Sequence, residues 1–155
     1  MGDRFQRVSG ERIRVSLAPE EQQFLADLTR MLRTVEPHNA EDPASTRLHL
    51  PVYLDDAGST EEWWRLMGDQ LESARAQDRS VFESLIEAPG GEIVFDSDQA
   101  ESLLRVINEG RLVLAARLGI QVASDFDDID PGERIVLDYL HWLLEDLTTE
   151  LSNGL

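Results

Sequence analysis

The chain has 155 residues, and its composition excludes several classes of function. It contains neither lysine nor cysteine, and its 14 basic residues, all arginine, face 31 carboxylates for a formal net charge of −17. Without lysine there is no Schiff-base chemistry and no phosphate loop of the lysine type. Without cysteine there are no thiol nucleophiles, disulfides or thiolate metal sites. A surface this acidic also repels nucleic acid and anionic membranes.

The length is that of one globular domain, which we expect to span residues 1–155. No apolar run approaches the ~20 residues that a membrane-spanning helix needs. The N-terminal segment has charge but no following apolar stretch, so it does not resemble a signal peptide. We therefore expect a cytoplasmic protein that does not associate with membranes.

The first elements form a β-hairpin followed by a helix. Phe5 to Val8 and Arg12 to Leu17 read as two strands joined at Ser9-Gly10, because apolar and polar residues alternate along the second strand. Pro19 suits the first turn of a helix, and apolar residues at three- and four-residue spacing extend that helix to about Thr34.

The middle of the chain combines a long connection with a helical segment. Residues 36–59 contain three prolines and predict the longest irregular connection, with 48–54 as an extended or edge segment at best. Thr60 suits the cap of a helix that either breaks at 77–79 or continues as one long helix. Residues 89–91 end it, and 92–95 predict a short strand that pairs with the N-terminal hairpin.

Two further helices complete the predicted fold. Asp96 and Gln99 form a capping-box pattern that begins a helix over 97–118, which Gly119 ends. After an acidic loop, a helix from Pro131 to about Leu151 is apolar over a wide arc. That arc is either core or half of a homodimer interface. The expected fold is mainly α: a single domain of four to five helices with a small antiparallel sheet from the N-terminal hairpin and residues 92–95.

Neither a metal site nor a catalytic site is indicated. Asp138, His141 and Glu145 share one helical face, but a helix-bundle metal site needs a second such motif. The acidic run over 125–133 fails the spacing of an EF-hand loop, which leaves open only a weak surface cation site. No nucleophile or phosphate-binding motif occurs, so we expect no enzyme, no metal and no cofactor.

The segment LAARLGI, residues 114–120, is similar to the first helix and turn of a helix-turn-helix. The following QVASDFDDID, residues 121–130, has four aspartates and no arginine, so it would meet phosphates with like charge. Nucleic acid is therefore an unlikely partner. A DNA-binding transcriptional regulator, assisted by the basic segment 1–17, remains the alternative hypothesis.

Two stretches carry a resemblance that extends over nearly the whole chain. LRVINEGRLVLAARLGI, residues 104–120, and RLHLPVYLDD, residues 47–56, resemble the signatures of an actinobacterial family catalogued as a domain of unknown function. The resemblance implies a gene that lies beside the gene for the ClpS adaptor of the Clp protease, and some members are labelled possible transcriptional regulators.

The candidate binding residues are Asn108, Arg111, Arg117 and Tyr53. Asn108 and Arg111 lie one turn apart on a mostly buried helix, where polar groups usually hydrogen-bond loop carbonyls. Arg111 is expected to contact the 36–59 connection near Tyr53, or to pair with Asp55 or Asp56. The alternative is an anion or peptide-carboxylate site on Arg111 and Arg117. We expect a non-catalytic interaction or regulatory protein whose partner is a Clp adaptor or protease component.

Overall fold

The computed structural model describes residues 4–8, 10–50 and 54–153. Helices dominate, and a small three-stranded antiparallel sheet accompanies them, which confirms the predicted fold class. The elements in chain order are β1 (Phe5–Arg7), β2 (Ile13–Ser16), α1 (Pro19–Arg33), α2 (Pro43–Leu48), α3 (Ala57–Ile86), β3 (Glu92–Phe95), α4 (Ser97–Arg117) and α5 (Pro131–Asn153), with 3-10 turns at Pro89–Gly91 and Ala123–Asp128.

The sheet has the order β1-β2-β3, so residues 92–95 pair with the N-terminal hairpin as predicted. Phe5 lies opposite Val15, and Ile13 lies opposite Phe95. These apolar residues point to one face of the sheet because side chains alternate along a strand, and all of them are buried. Ser9, which we placed in the hairpin turn, lies outside the described residues.

The connection 36–59 is less irregular than the sequence suggested, because it contains helix α2. The Asp42 carboxylate accepts a hydrogen bond from the Ala44 N–H at 3.0 Å, and Pro43 occupies the first helical position. Both features favour a helix start. Of the segment 48–54, which we expected to be extended, Leu48 belongs to the end of α2, and residues 51–53 lie outside the described residues.

Helix α3 is one continuous helix of 30 residues, so the polar patch at 77–79 does not interrupt it. It begins earlier than predicted, because Asp56 rather than Thr60 is the capping residue. The Asp56 Oδ1 accepts a hydrogen bond from the Ser59 N–H at 3.0 Å. Its fully buried residues are Phe82 and Ile86, both near its C-terminus.

Helix α4 is the central element and packs against α1, α2, α3 and α5. Its close approach to α1 depends on Gly110, because a Cβ there would lie 2.6 Å from the Leu28 Cδ1. The capping box of Asp96 and Gln99 is present, and Gly119 adopts the left-handed φ of 77° that commonly follows a helix end.

Helix α5 contributes four buried leucines to the interior, which gives its apolar arc a core role. Ile135 and Trp142 lie on its exposed side, and whether that side meets a second copy stays a prediction. Among the residues that the structure describes, no helix combines the length and the hydropathy that a membrane crossing requires.

Glu21 joins three elements through its carboxylate. It accepts hydrogen bonds from the Tyr139 hydroxyl at 2.7 Å, from the Ala18 N–H at 3.1 Å and from the Arg4 guanidinium. Partial burial would raise the pKa of Glu21, but the hydrogen bonds from Tyr139, Ala18 and Arg4 together hold it below its ordinary value. Burial and the same contact with Glu21 raise the pKa of Tyr139 well above its usual range.

Gly110→Ala is expected to lower the free energy of unfolding, although alanine favours helices. Overpacking against Leu28 costs about 1–3 kcal/mol, more than the gain of up to ~1 kcal/mol from helix propensity. Gly68→Ala in α3 is the matched control, because its Cβ would lie 3.7 Å from Trp64, an ordinary contact. Urea unfolding should show the control stabilised. Stabilisation of both variants would contradict the close packing at Gly110.

Glu21→Gln is expected to destabilise the protein at pH 7 by about 1–3 kcal/mol, because charge-assisted hydrogen bonds are lost. The pKa of Glu21 is lower in the folded protein than in the unfolded chain, where it is about 4.3. The carboxylate therefore stabilises the folded protein fully at pH values above the unfolded pKa, and this contribution is lost as the pH falls through the folded pKa. The difference in free energy of unfolding between the wild type and Glu21→Gln should therefore become smaller towards pH 3. Glu20→Gln, an exposed change in the same turn, is the control; a pH-independent deficit would contradict this account.

Candidate functional site

The face of α4 that points away from the core is the floor of a groove between α3 and α5. Three adjoining cavities of about 550, 720 and 350 Å³ lie along it and share floor residues. One wall comes from the middle of α3 and from α2, and the other from α5. We call this surface the α4 groove, and its floor residues are Leu104, Asn108, Arg111, Leu112 and Ala115.

Arg111 lies in the middle of this floor and lines two of the cavities. Its Nη2 donates a hydrogen bond to the Asn108 Oδ1 at 2.8 Å. Its Nε is buried without a hydrogen-bond partner. Among residues 4–8, 10–50 and 54–153, no carboxylate lies within ion-pair distance of this guanidinium, because none of the salt bridges there includes it. A partly buried charge with only a neutral partner is costly, so a further anion would stabilise it.

The neighbouring buried arginines are paired. Glu109 is 9% exposed and lies 3.2 Å from the Arg75 Nε and 3.3 Å from the Arg79 Nη2. Burial raises the pKa of Glu109, although the two guanidinium groups oppose that shift. This cluster joins α3 to α4. It therefore acts in packing. The Arg79 Nε is buried without a hydrogen-bond partner, as the Arg111 Nε is, so Arg111 differs in having no carboxylate partner among the described residues.

Arg117 faces away from the α4 groove and forms an ion pair instead. Its Nη2 lies 2.8 Å from the Asp42 Oδ2, so it fastens the start of α2 to the end of α4. The hydrogen bond from Arg117 is the main reason that the pKa of Asp42 lies below its ordinary value. The structure thus brings Asn108 and Arg111 together and separates Arg117 from them.

The prediction that Arg111 contacts the 36–59 connection is wrong for the part of that connection that the structure describes. Its side chain points towards α5, and it forms no ion pair with Asp55 or Asp56. The arginine that reaches that connection is Arg117, through Asp42. Tyr53, the fourth candidate, lies outside the described residues.

Helix α5 supplies site residues that sequence reasoning assigned elsewhere. His141 lines both cavities that contain Arg111, and Asp138 and Arg134 line the smaller of the two. His141 lies 3.3 Å from Glu145, one turn along the same helix. Among the described residues, no three histidine or carboxylate side chains are grouped as metal ligands. Spacing along α5 placed these residues on one face, but no sequence signal showed that this face meets α4.

Positive and negative charges balance in the α4 groove, unlike in the chain as a whole. Five arginines and five carboxylates line the three cavities, which gives no net charge on a chain of −17. The arginines are Arg47, Arg75, Arg105, Arg111 and Arg134.

The geometry of a helix-turn-helix is not formed after LAARLGI. The segment that would hold the recognition helix contains a six-residue 3-10 turn, Ala123–Asp128, instead of an α-helix. The Asp125 carboxylate accepts hydrogen bonds from the N–H groups of Gln121 and Val122, so it stabilises the turn locally. These contacts give Asp125 a structural role in the turn.

Comparison with known proteins gives one match. The model of the family described as "Domain of unknown function (DUF2017)" matches residues 2–151. No curated protein and no solved structure matches the chain.

Arg111→Met is expected to leave the free energy of unfolding within about 1 kcal/mol of the wild type, or to raise it, because a poorly paired charge is removed. Arg79→Met is the matched control, because Arg79 is 12% exposed and paired with Glu109. Glu109 keeps Arg75 as a partner, so loss of the charge-assisted contact with Arg79 should cost about 1.5–3 kcal/mol. Equal destabilisation of the two variants in urea unfolding would show that Arg111 serves the fold.

Proposed function

The chain belongs to the DUF2017 family, and we propose that it is a non-catalytic interaction protein with a regulatory role, which binds a partner protein in the α4 groove. The observation that carries this proposal is the guanidinium of Arg111, which is held by Asn108 and has no carboxylate partner among the described residues. A carboxylate from a partner protein would complete its hydrogen bonding with charge-assisted contacts.

The dimensions and lining of the groove suit a short polypeptide segment. Leu104 and Ala115 are eleven residues apart on α4, which corresponds to about 16 Å at 1.5 Å per residue. That length accommodates about three turns of helix. Leucines of α4 and α5 line the two cavities that contain Arg111, so the segment would be largely apolar with one carboxylate. An arginine at the centre of an apolar interface is a common energetic hot spot.

The charge distribution supports the same choice of site. An acidic group on a partner is repelled by most of a chain with a net charge of −17, but less by the α4 groove, where the charges balance. Repulsion of a carboxylate-bearing segment would therefore be weaker at the α4 groove than over the acidic parts of the surface.

The proposed partner is the Clp adaptor or another component of the Clp protease, in the cytoplasm of an actinobacterial host. The resemblance of residues 47–56 and 104–120 to the family signatures supports this choice, because it implies a gene that lies beside the gene for the adaptor. Genomic adjacency often accompanies a shared process. A contribution to regulated proteolysis would need no catalytic group in this chain.

Calorimetric titration with the purified Clp adaptor of the same host tests the proposal. Arg111→Met should weaken binding at least about tenfold, which corresponds to ~1.4 kcal/mol. Arg30→Met is the matched control, because Arg30 is 72% exposed on α1 and far from the groove in sequence. It should bind as the wild type does.

Two results would contradict the proposal at different levels. If the wild type binds neither the adaptor nor the assembled protease, the proposed partner is wrong. If it binds and Arg111→Met has no effect, the partner is right and the α4 groove is not the site.

A further inference from the structure

The N-terminal part of α3 extends beyond the hydrophobic core. We call residues 54–69 the α3 stem; it contains the start of α3 and the residues just before it. No described residue of the stem is fully buried, whereas Phe82 and Ile86 anchor the other end of the helix. Most helices in proteins are stabilised by packing an apolar face, whereas the stem packs mainly through its half-buried tryptophans, Trp63 and Trp64.

The α3 stem nevertheless carries large apolar side chains. Leu54, Leu66 and Met67 are 89%, 60% and 40% exposed, and Trp63 is partly exposed beside them. The ring centroid of Trp63 lies 4.9 Å from that of Trp64. Exposed apolar groups concentrated in one region typically indicate an interaction surface.

A cavity of about 680 Å³ opens between the start of α3 and the end of α2, and Leu54 and Trp64 line it. Leu66 and Met67 do not line it, and helical geometry places Leu66 on the side of α3 opposite Trp64. The aromatic wall of the cavity consists of His38, His49 and Trp64, whose ring centroids are 5.0–5.9 Å apart. The wall is held in place: the Trp64 Nε1 donates to the Leu50 carbonyl at 3.3 Å, and the His49 Nε2 lies 2.9 Å from the Glu72 carboxylate. Such a cavity is preformed for an apolar side chain.

His38 adds a second indication that this region is specialised. Its φ of 59° lies in the left-handed region, which histidine adopts more often than most residues but at some energetic cost. This backbone conformation places the ring at the cavity, 5.9 Å from that of Trp64.

The rim of the stem is strongly acidic. Residues 54–69 contain five carboxylates and one arginine, Arg65, which is bound to Glu62. Asp56 caps α3 and interacts favourably with the positive end of its dipole. Capping therefore does not account for the other four carboxylates. All five belong to exposed residues, and they are Asp55, Asp56, Glu61, Glu62 and Asp69.

We propose that the α3 stem is a docking surface for a basic amphipathic segment of a partner protein, whose apolar side chain enters the cavity at Trp64 and whose arginine or lysine residues face the acidic rim. Charge complementarity decides the occupant. A second copy would bring the same five carboxylates and a net charge of −17 to the interface, so it is disfavoured. The surface is separate from the α4 groove and does not depend on Arg111.

The test uses a fluorescently labelled helical peptide of about 18 residues, with leucine on one face and arginine on the other, and the same peptide with glutamine in place of arginine. Anisotropy with the full chain should show binding of the arginine peptide that weakens with salt, and about tenfold weaker binding of the glutamine peptide.

Matched variants distinguish binding at the α3 stem from nonspecific attraction of the basic peptide to an acidic protein. Leu54→Ser and Glu61→Arg should each weaken binding of the arginine peptide by about fivefold or more, because both residues line the cavity. Ile135→Ser and Glu133→Arg are the controls, because they change an exposed apolar residue and an exposed carboxylate near the start of another helix, α5. Circular dichroism should show unchanged helicity for all four.

Four outcomes would overturn the proposal. These are a dissociation constant above about 1 mM, equal binding of the two peptides, equal effects of the stem and control variants, and a dimer in sedimentation that Leu54→Ser dissociates. Arg111→Met should bind the peptide as the wild type does. The experiment therefore distinguishes an error in the proposal for the α4 groove from an error in the proposal for the α3 stem.

Discussion

The packing of α4 against four other helices is the constraint on which the remaining architecture depends. Gly110 lets α1 approach its inner face, and Glu109 holds the two α3 arginines at 3.2 and 3.3 Å. Because these contacts occupy the inner face and one flank, the outer strip of α4 lies open between α3 and α5. The central helix of the fold therefore also presents the residues that we assign to partner binding.

Local sequence signals predicted most elements because their causes are local. Apolar periodicity, the Asp96 capping box and the alternation of Ile13 and Val15 identify helices and strands without tertiary information. Helix α2 was missed because six residues are too few for periodicity, and its signal is the Asp42-Pro43 start. The start of α3 was misplaced because Asp56 and Thr60 both suit a cap, and only the fold selects between them.

Only the part of the candidate site that lies on a single helix could be predicted from the sequence. Asn108 and Arg111 are three residues apart, so helical geometry alone brings their side chains together. The pairing of Arg117 with Asp42 joins residues 75 positions apart, and the position of His141 beside Arg111 depends on how α5 packs on α4. These relations arise from tertiary packing, which spacing along a single element does not encode.

The unequal burial of α3 divides its 30 residues into regions of different stability. Its C-terminal end packs into the core around Phe82, whereas the stem has no fully buried residue, so local opening of the stem should cost less free energy than opening of the C-terminal end. A ligand that binds the folded stem at its cavity would also oppose that local opening. Binding at one end of α3 would therefore make the stability of the whole helix more uniform.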